Sequence, residues 1–465
     1  MKNNFTFIAV LCFTSLFSCN CNNNKEKVDV DFVRYKTDLQ IESEILGMPV
    51  KFSVFLPADY AKNSDKRYSV VYLLHGLGDD HKSWNDEWLN ITARIENWEN
   101  TQGLEPMIYV IPQGFRSYYV NRYDGKFNYM DMFIQEFVPK IDVMYRTIAN
   151  REHRAVAGYS MGGFGAMILA SKHPEIFSVS VPLSMSFRTD EQYMTESASG
   201  WDNQWGTVFG GKGLTGAARL TDYYKQHCPY YMFTGQTAQQ YSSVKYFYDC
   251  GDDEEQLLVA NDKLHVQLRD AGFAHEYRVR NGGHTSSYWA SAMQEVLPYI
   301  SSCFNNVPYK TEENAAIPDT LNMTYRDTVL QGVNTTIFFP IDYMAGIDYP
   351  KIHLIKNNAV SAVEAAKALQ DKTPFILIVS DMPDNQTPLY LLDVIMDTAE
   401  LSSENFYYIT LGDDGANYKN ANVLYGICHK QNIPFEYRVY NGTSSKNSLL
   451  YGLLKMKEAI KNKIK

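Results

Sequence analysis

Apolar and polar positions along the chain fall into short apolar runs separated by stretches of helical spacing. Lys51 to Pro57 (KFSVFLP) alternates in the manner of a strand. Tyr68 to Leu74 (YSVVYLL) is a nearly continuous run of β-branched and aromatic residues, the mark of a strand buried on both faces. Met107 to Ile111, Ala155 to Gly158, Phe177 to Leu183, Tyr246 to Cys250 and Glu276 to Arg280 read as further strands. Between them, Met130 to Ile141 and Phe164 to Ser171 carry apolar residues at helical spacing. This βα alternation predicts an α/β fold, with a mostly parallel sheet and helices on both faces. Residues 187 to 227, rich in Gly, Ser, Thr, Trp and Tyr, interrupt the rhythm. They read either as a lid or substrate wall over the carboxyl edge of the sheet or as a surface helical excursion.

The pattern then repeats. SEILGMPVKFSVFLPADY (Ser43 to Tyr60) corresponds to RDTVLQGVNTTIFFPIDY (Arg326 to Tyr343), and YSVVYLLHG (from Tyr68) to YPKIHLIKN (from Tyr349). EPMIYVI (from Glu105) corresponds to TPFILIV (from Thr373), YDCGDDEEQLLVAN (from Tyr248) to ITLGDDGANYKNAN (from Ile409), and HEYRVRNGGH (from His275) to FEYRVYNGTS (from Phe435). All these matches occur in one order, so the second part is a shortened copy of the first that lacks its middle. The sequence therefore divides into a main α/β domain over 39–303 and a smaller, truncated α/β domain over 304–465, expected to fold by itself.

The N-terminus changes the picture of where the chain works. Lys2, the apolar stretch Phe5 to Phe17 and then Leu16-Phe17-Ser18-Cys19 resemble a bacterial lipoprotein signal, too short to span a bilayer as a helix. Residues 1–18 are thus expected to be a signal peptide. Cys19 is the expected lipidation site, and residues 19–38 a polar tether on a membrane anchor, which places the protein in the cell envelope (periplasm or outer membrane). The formal net charge of −10, without a basic run, argues against nucleic acid as a partner. Cys228, Cys250, Cys303 and Cys428 are scattered and lack zinc-ligand spacing, so no metal site is expected.

Candidate chemistry centres on Gly158-Tyr159-Ser160-Met161-Gly162, a G-x-S-x-G motif between a short strand and a helix. A nucleophile elbow requires that setting: the Ser sits on a tight, strained turn that projects its hydroxyl above the sheet. His75-Gly76-Leu77-Gly78 follows the first long buried strand, where the fold supplies one oxyanion-hole N–H; the residue after the nucleophile supplies the other. The backbone N–H groups of Leu77 and Met161 are the expected donors, with His75 structural. The base should follow the nucleophile and the acid along the chain. His284, on the Asn281-Gly282-Gly283 loop after a strand, fits; His265 and His275 each sit within or beside an element. The acid should lie in Gly251-Asp252-Asp253-Glu254-Glu255, where Asp253 and Glu254 both remain open.

With these residues in place, LLHGLGDD, YVN (Tyr119 to Asn121), EFVPKID, GYSMGGFGA, DCGDDE and NGGH resemble the esterase D-like family, over about residues 40 to 300. That family includes feruloyl and acetyl-xylan esterases of carbohydrate esterase family 1 and S-formylglutathione hydrolases. The resemblance implies an α/β-hydrolase fold, a serine carboxylic ester hydrolase working through an acyl-enzyme, and no metal or organic cofactor. It carries Ser160 over as nucleophile and His284 as base. Distance from the glycine puts the family's acid on Glu254, while residue type favours Asp253. The expected substrate is a small-molecule or oligosaccharide ester, acetyl or feruloyl on carbohydrate. Alternatives are an acyltransferase, a siderophore or lipid esterase of the same fold, and a non-catalytic glycan-binding surface lipoprotein. The second copy has Lys356-Asn357 in place of His75-Gly76, Ser444 in place of His284, and no G-x-S-x-G, so it is expected to be catalytically inactive.

Overall fold

A computed structural model describes residues 32–309 without a break and, beyond them, 317–330, 333–347, 351–356, 361–370, 376–381, 405–412, 435–440 and scattered positions between 419 and 429. The signal segment and Cys19, and in the second copy Asn357, Asp413, Asp414, Cys428 and Ser444, lie outside the described residues.

The first half builds strands β1 (Tyr35–Ser43), β2 (Met48–Phe55), β3 (Val70–Leu74), β4 (Ile108–Pro112), β5 (Arg154–Tyr159), β6 (Val179–Leu183), β7 (Lys245–Gly251) and β8 (Glu276–Arg280). Every residue of β3, β4, β5 and β6 is buried, which is why these segments read as continuous apolar runs. Strands β3 through β8 form the parallel body of the sheet together with β4, and β1 and β2 close one side antiparallel. The main helices are α1 (Ile91–Gln102), α2 (Met161–Lys172), α3 (Glu255–Asp270) and α4 (Ser286–Phe304). One face of the sheet packs on Trp84, Ile95, Trp98, Trp289, Met293 and Leu297. Each fully buried large apolar side chain in such a core is worth roughly 1.5–3 kcal/mol.

Three elements differ from the sequence reading. Strand β1 begins at Tyr35, inside the segment 19–38 read as a tether. Its first part is exposed without alternation, Lys36, Thr37 and Asp38 in succession, and a register shift between Lys36 and Leu39 accommodates Asp38 at φ 56°, so it lacks a clean strand signature. The helix expected over Met130 to Ile141 has three pieces, Tyr129–Met132, a π-helical stretch Phe133–Phe137, and Val138–Met144. Helix α2 starts at Met161, immediately after the motif serine, rather than at Phe164.

The second half supplies β9 (Met323–Leu330), β10 (Val333–Pro340), β11 (Lys351–Lys356), β12 (Ile376–Asp381), β13 (Asn405–Gly412) and β14 (Phe435–Tyr440), with helix α5 (Ala362–Leu369). The whole sheet has 14 strands in the order β1-β2-β4-β3-β5-β6-β7-β8-β14-β13-β11-β12-β10-β9. Read inward from its own edge, the second half runs β9-β10-β12-β11-β13-β14. That is the order of the first half with β5 and β6 removed, and the parallel and antiparallel pairings agree as well. The halves are joined edge to edge by the antiparallel pairing of β8 with β14, so the expected second module continues the sheet of the first. The described residues from Arg34 onward belong to one compact unit.

Candidate active site

The carboxyl ends of β3, β5, β6, β7 and β8 carry the chemistry-bearing residues, as expected where loops leave a parallel sheet. Ser160 sits between β5 and α2 at φ 58° and ψ −120°, a strained conformation for a non-glycine residue. The turn holds because its flanks allow backbone to approach backbone. A Cβ on Gly162 would overlap the carbonyl oxygen of Leu74, and one on Gly158 would overlap that of Gly162. The Ser160 N–H donates to Leu183 O at 2.9 Å, which ties the turn to the end of β6.

His284 lies in the loop after β8, within reach of Ser160. Its Nε2 is 2.9 Å from Ser160 Oγ, and its Nδ1 is 2.7 Å from Glu254 Oε2. A carboxylate can only accept, so Nδ1 carries the ring proton and Nε2 is free to accept from the Ser160 hydroxyl. The imidazole and the indole of Trp289 meet in a T-shape, ring centroids 4.9 Å apart and planes at 89°, which restrains the imidazole plane.

Of the two acids left open by the sequence, the structure brings only Glu254 to His284. Its side chain is 0% exposed. The other oxygen, Oε1, accepts from the Gly251 N–H at 2.9 Å and from Ser184 Oγ at 2.5 Å. Asp253 is the correction: it is exposed, and its main-chain N–H donates to Gly282 O at 3.1 Å. That bond and the Asp252 N–H to Arg280 O bond (3.0 Å) pin the acid loop against the histidine loop, so Asp253 faces solvent.

Leu77 follows β3 and Met161 is the first residue of α2, the two places from which an oxyanion hole is built. Among the described residues, neither of their backbone N–H groups donates to a protein acceptor. The amino end of α2 also favours negative charge beside Ser160. Tyr159 joins the two segments, donating from its hydroxyl to Asp79 Oδ2 at 2.8 Å.

The histidines set aside from the sequence have structural roles. His75 is buried; its Nδ1 lies 2.8 Å from Gly76 O, and its Nε2 accepts from the Gly114 N–H at 2.8 Å. Burial holds its pKa below the usual histidine value. His265 and His275 are buried against each other, Nδ1 to Nε2 at 2.9 Å.

Residues 187–227 pack around a core of their own, and two of them face a cavity. Trp201, Trp205, Tyr193 and Tyr224 make an aromatic core within the segment. Thr207 and Val208 line a cavity of about 590 Å³ with Gly78, Asp79, Phe115, Arg116 and Phe127. The opposite wall, the loop after β4, has Phe115, Tyr118 and Tyr119 at positive φ. Such clustered strain accompanies functional loops.

Sequence reasoning missed Ser184 and Trp289. Ser184 follows the carboxyl end of β6 at φ 46°, a position typical of site residues in a parallel sheet. Nothing in the sequence around Trp289 marks it.

The family model described as "Putative esterase" matches residues 43–300, which include Leu77, Ser160, Met161, Glu254 and His284. An esterase of Mycobacterium tuberculosis is 30% identical over 266 residues, covering 53% of this chain and 54% of that protein. The chain thus spans about half the length of this curated relative. An endo-1,4-beta-xylanase/feruloyl esterase of Xylanibacter ruminicola is 30% identical over 163 residues, 32% of this chain and 22% of that protein. Among solved structures, a ferulic acid esterase has 28% identity and a TM-score of 0.49, with coverage of 58% of this chain and 98% of the other. With more than half of its length matched by the family model, the chain belongs to this esterase family, the esterase D-like group that its motifs resemble.

Proposed function

We propose that the chain is a serine carboxylic ester hydrolase that removes acetyl or feruloyl groups from carbohydrate. The observation that carries this reading is the hydrogen-bonded series from Ser160 Oγ through His284 to Glu254, at 2.9 and 2.7 Å. As Ser160 Oγ attacks the ester carbonyl, His284 Nε2 takes its proton, and Glu254 stabilises the imidazolium through Nδ1–H. The oxyanion is held by the N–H groups of Leu77 and Met161. His284 then hands the proton to the departing alcohol, leaving an acyl-Ser160. Water, deprotonated by His284, attacks the acyl carbon; Ser160 regains its proton and the carboxylic acid leaves.

Three observations support a carbohydrate ester as substrate. The cavity lined by Gly78 and Asp79, on the loop after β3, has aromatic walls in Phe115 and Phe127, suited to a flat acyl group or a sugar face. The Xylanibacter ruminicola relative is named a xylanase and feruloyl esterase. The sequence before Cys19 reads as a lipoprotein signal, and a lipid-anchored envelope enzyme meets glycans. The second half, with Lys356 where the first has His75 and no G-x-S-x-G of its own, supplies no nucleophile. Incubation with a panel of acetylated and feruloylated oligosaccharides tests the reading, by release of acetate or ferulate. Turnover of 4-nitrophenyl acetate without any release from the panel would keep the esterase and discard the carbohydrate.

A further inference from the structure

The join between the two halves touches the site. Strands β8 and β14 are equivalent copies in the repeat, and they pair antiparallel with the equivalent valines Val279 and Val439 opposite each other. Equivalent strands paired in this way are related by a local pseudo-twofold axis, as in an isologous dimer fused into one chain. The arginines one residue before these valines, Arg278 and Arg438, have different partners. Arg278 pairs with Glu276 at 2.8 Å and Glu295 at 3.0 Å. Arg438 pairs with Glu436 on its own strand and also reaches across the join. It forms an ion pair with Asp252 and donates to Asn281 Oδ1 at 2.9 Å. Its side chain is 3% exposed and that of Asp252 is 5% exposed.

Both cross-join partners belong to loops that carry site residues. Asp252 stands two residues before Glu254, and Asn281 three before His284. Asp252 also links the loops directly, since its Oδ1 accepts from the Gly282 N–H at 3.1 Å. We propose that Arg438, supplied by the half that lacks a nucleophile, is a positioning residue for the active site: its guanidinium fork holds the Glu254 loop and the His284 loop in register. The inference rests on Ser160, His284 and Glu254 being the reaction centre. Its physical basis is that a carboxylate buried at this join needs a charged partner to stay in place. Burial pushes the Asp252 carboxyl up and the Arg438 guanidinium opposes that push. A fork also fixes two acceptors at once, which a point charge does not. The shortened repeat thereby acquires a role in the chemistry without reacting.

The test uses the full chain with Arg438→Ala, Arg438→Lys and Asp252→Asn, first establishing that Ser160→Ala is inactive. Folding is checked by circular dichroism and gel filtration. The readouts are kcat and KM on 4-nitrophenyl acetate, which is too small to reach Arg438, and the rate at which a fluorophosphonate labels Ser160. Arg438→Ala should lower kcat and the labelling rate about 10- to 100-fold, the cost of a small displacement of reacting groups. KM should change by less than about threefold, and added methylguanidinium should restore part of kcat. Arg438→Lys should be intermediate, and Arg438→Ala with Asp252→Asn no worse than the poorer single variant, because both remove one interaction. If Arg438→Ala does not fold, Arg438→Lys and Asp252→Asn decide by the same readouts. Folded variants with wild-type kcat and labelling rate, or losses that simply multiply in the double variant, would overturn the inference while leaving the esterase intact. If Ser160→Ala is as active as the wild type, the reaction centre itself is wrong and the inference falls with it.

Discussion

The indole Nε1–H of Trp289 donates to Ser184 Oγ at 2.8 Å, and Ser184 in turn donates to Glu254 Oε1 at 2.5 Å. A helix residue five positions after His284 is thereby linked to the carboxylate that orients His284. Trp289 also stacks on Tyr159, the residue before Ser160, at 4.1 Å and 14°. Ser184→Ala removes one bond to Glu254 and leaves the buried Trp289 N–H without its acceptor. It should lower stability by roughly 1–3 kcal/mol, and kcat by on the order of tenfold. Denaturant unfolding and steady-state kinetics on the same preparation check both; unchanged kcat would mean that Gly251 N–H alone suffices to hold Glu254.

Ser160→Ala should abolish ester hydrolysis, a loss on the order of 10⁶-fold, with the fold retained. Fluorophosphonate labelling should disappear with activity. A tenth of wild-type turnover in the purified variant would assign the nucleophile elsewhere.

Glu254→Gln and Asp253→Asn are adjacent substitutions with opposite expectations. Only Glu254 contacts His284, so Glu254→Gln should cost on the order of 10⁴-fold in kcat. The exposed Asp253 should be replaceable at little cost. Equal effects from the two would contradict the arrangement of the loop.

Four buried histidines should make the fold sensitive to acid. Burial lowers His275 to about 3 and His227 to about 4, and also pulls down His265 and His75. In the unfolded chain all four titrate near 6.5. Folded pKa values below the unfolded value mean that the unfolded state binds protons first as pH falls. Their contribution is therefore complete above about pH 6.5 and declines below it, each by about 1.4 kcal/mol per pH unit until its folded pKa is reached. Burial raises Asp249 and Asp262 to about 6 and Asp252 to about 7, so these carboxylates take up protons in the folded state over the same range and offset part of the loss. Urea melts between pH 7.5 and 4.5 should therefore fall less steeply below pH 6 in folded His275→Asn and His227→Asn variants than in the wild type; identical slopes would show that these two rings do not set the acid sensitivity.

Cys19 should carry lipid. A diacylglycerol and an amide-linked chain contribute about 0.8 kcal/mol per buried CH₂, enough for firm anchoring. Mass spectrometry of the membrane fraction should find an acylated N-terminal Cys19, and Cys19→Ala should release the protein from it. A mature soluble form with a free Cys19 thiol would remove the envelope assignment.

Much of this protein is written locally in its chain. The buried parallel strands are apolar on both faces, so Tyr68 to Leu74 and Met107 to Ile111 announce themselves. The elbow is legible because a single turn imposes its demands within five residues: Gly158 and Gly162 leave room for backbone against backbone, and Ser160 occupies the strained position between them. Chain order alone picks His284 from its competitors. Strand β1 was hidden because its first part is exposed at an edge without alternation and it bulges at Asp38. The choice between Asp253 and Glu254 is beyond any local signal, since two neighbouring acids have the same chemistry. It is made by main-chain bonds from the acid loop to Arg280 and Gly282, which turn one carboxylate to solvent and the other to the imidazole. The same holds for Ser184, Trp289 and Arg438, which are distant in sequence from the groups they hold. The repeat was visible as matched segments, but its edge-to-edge join through Val279 and Val439 was not. Strand pairing between distant segments depends on which edges the rest of the sheet leaves open, and only the assembled sheet determines that.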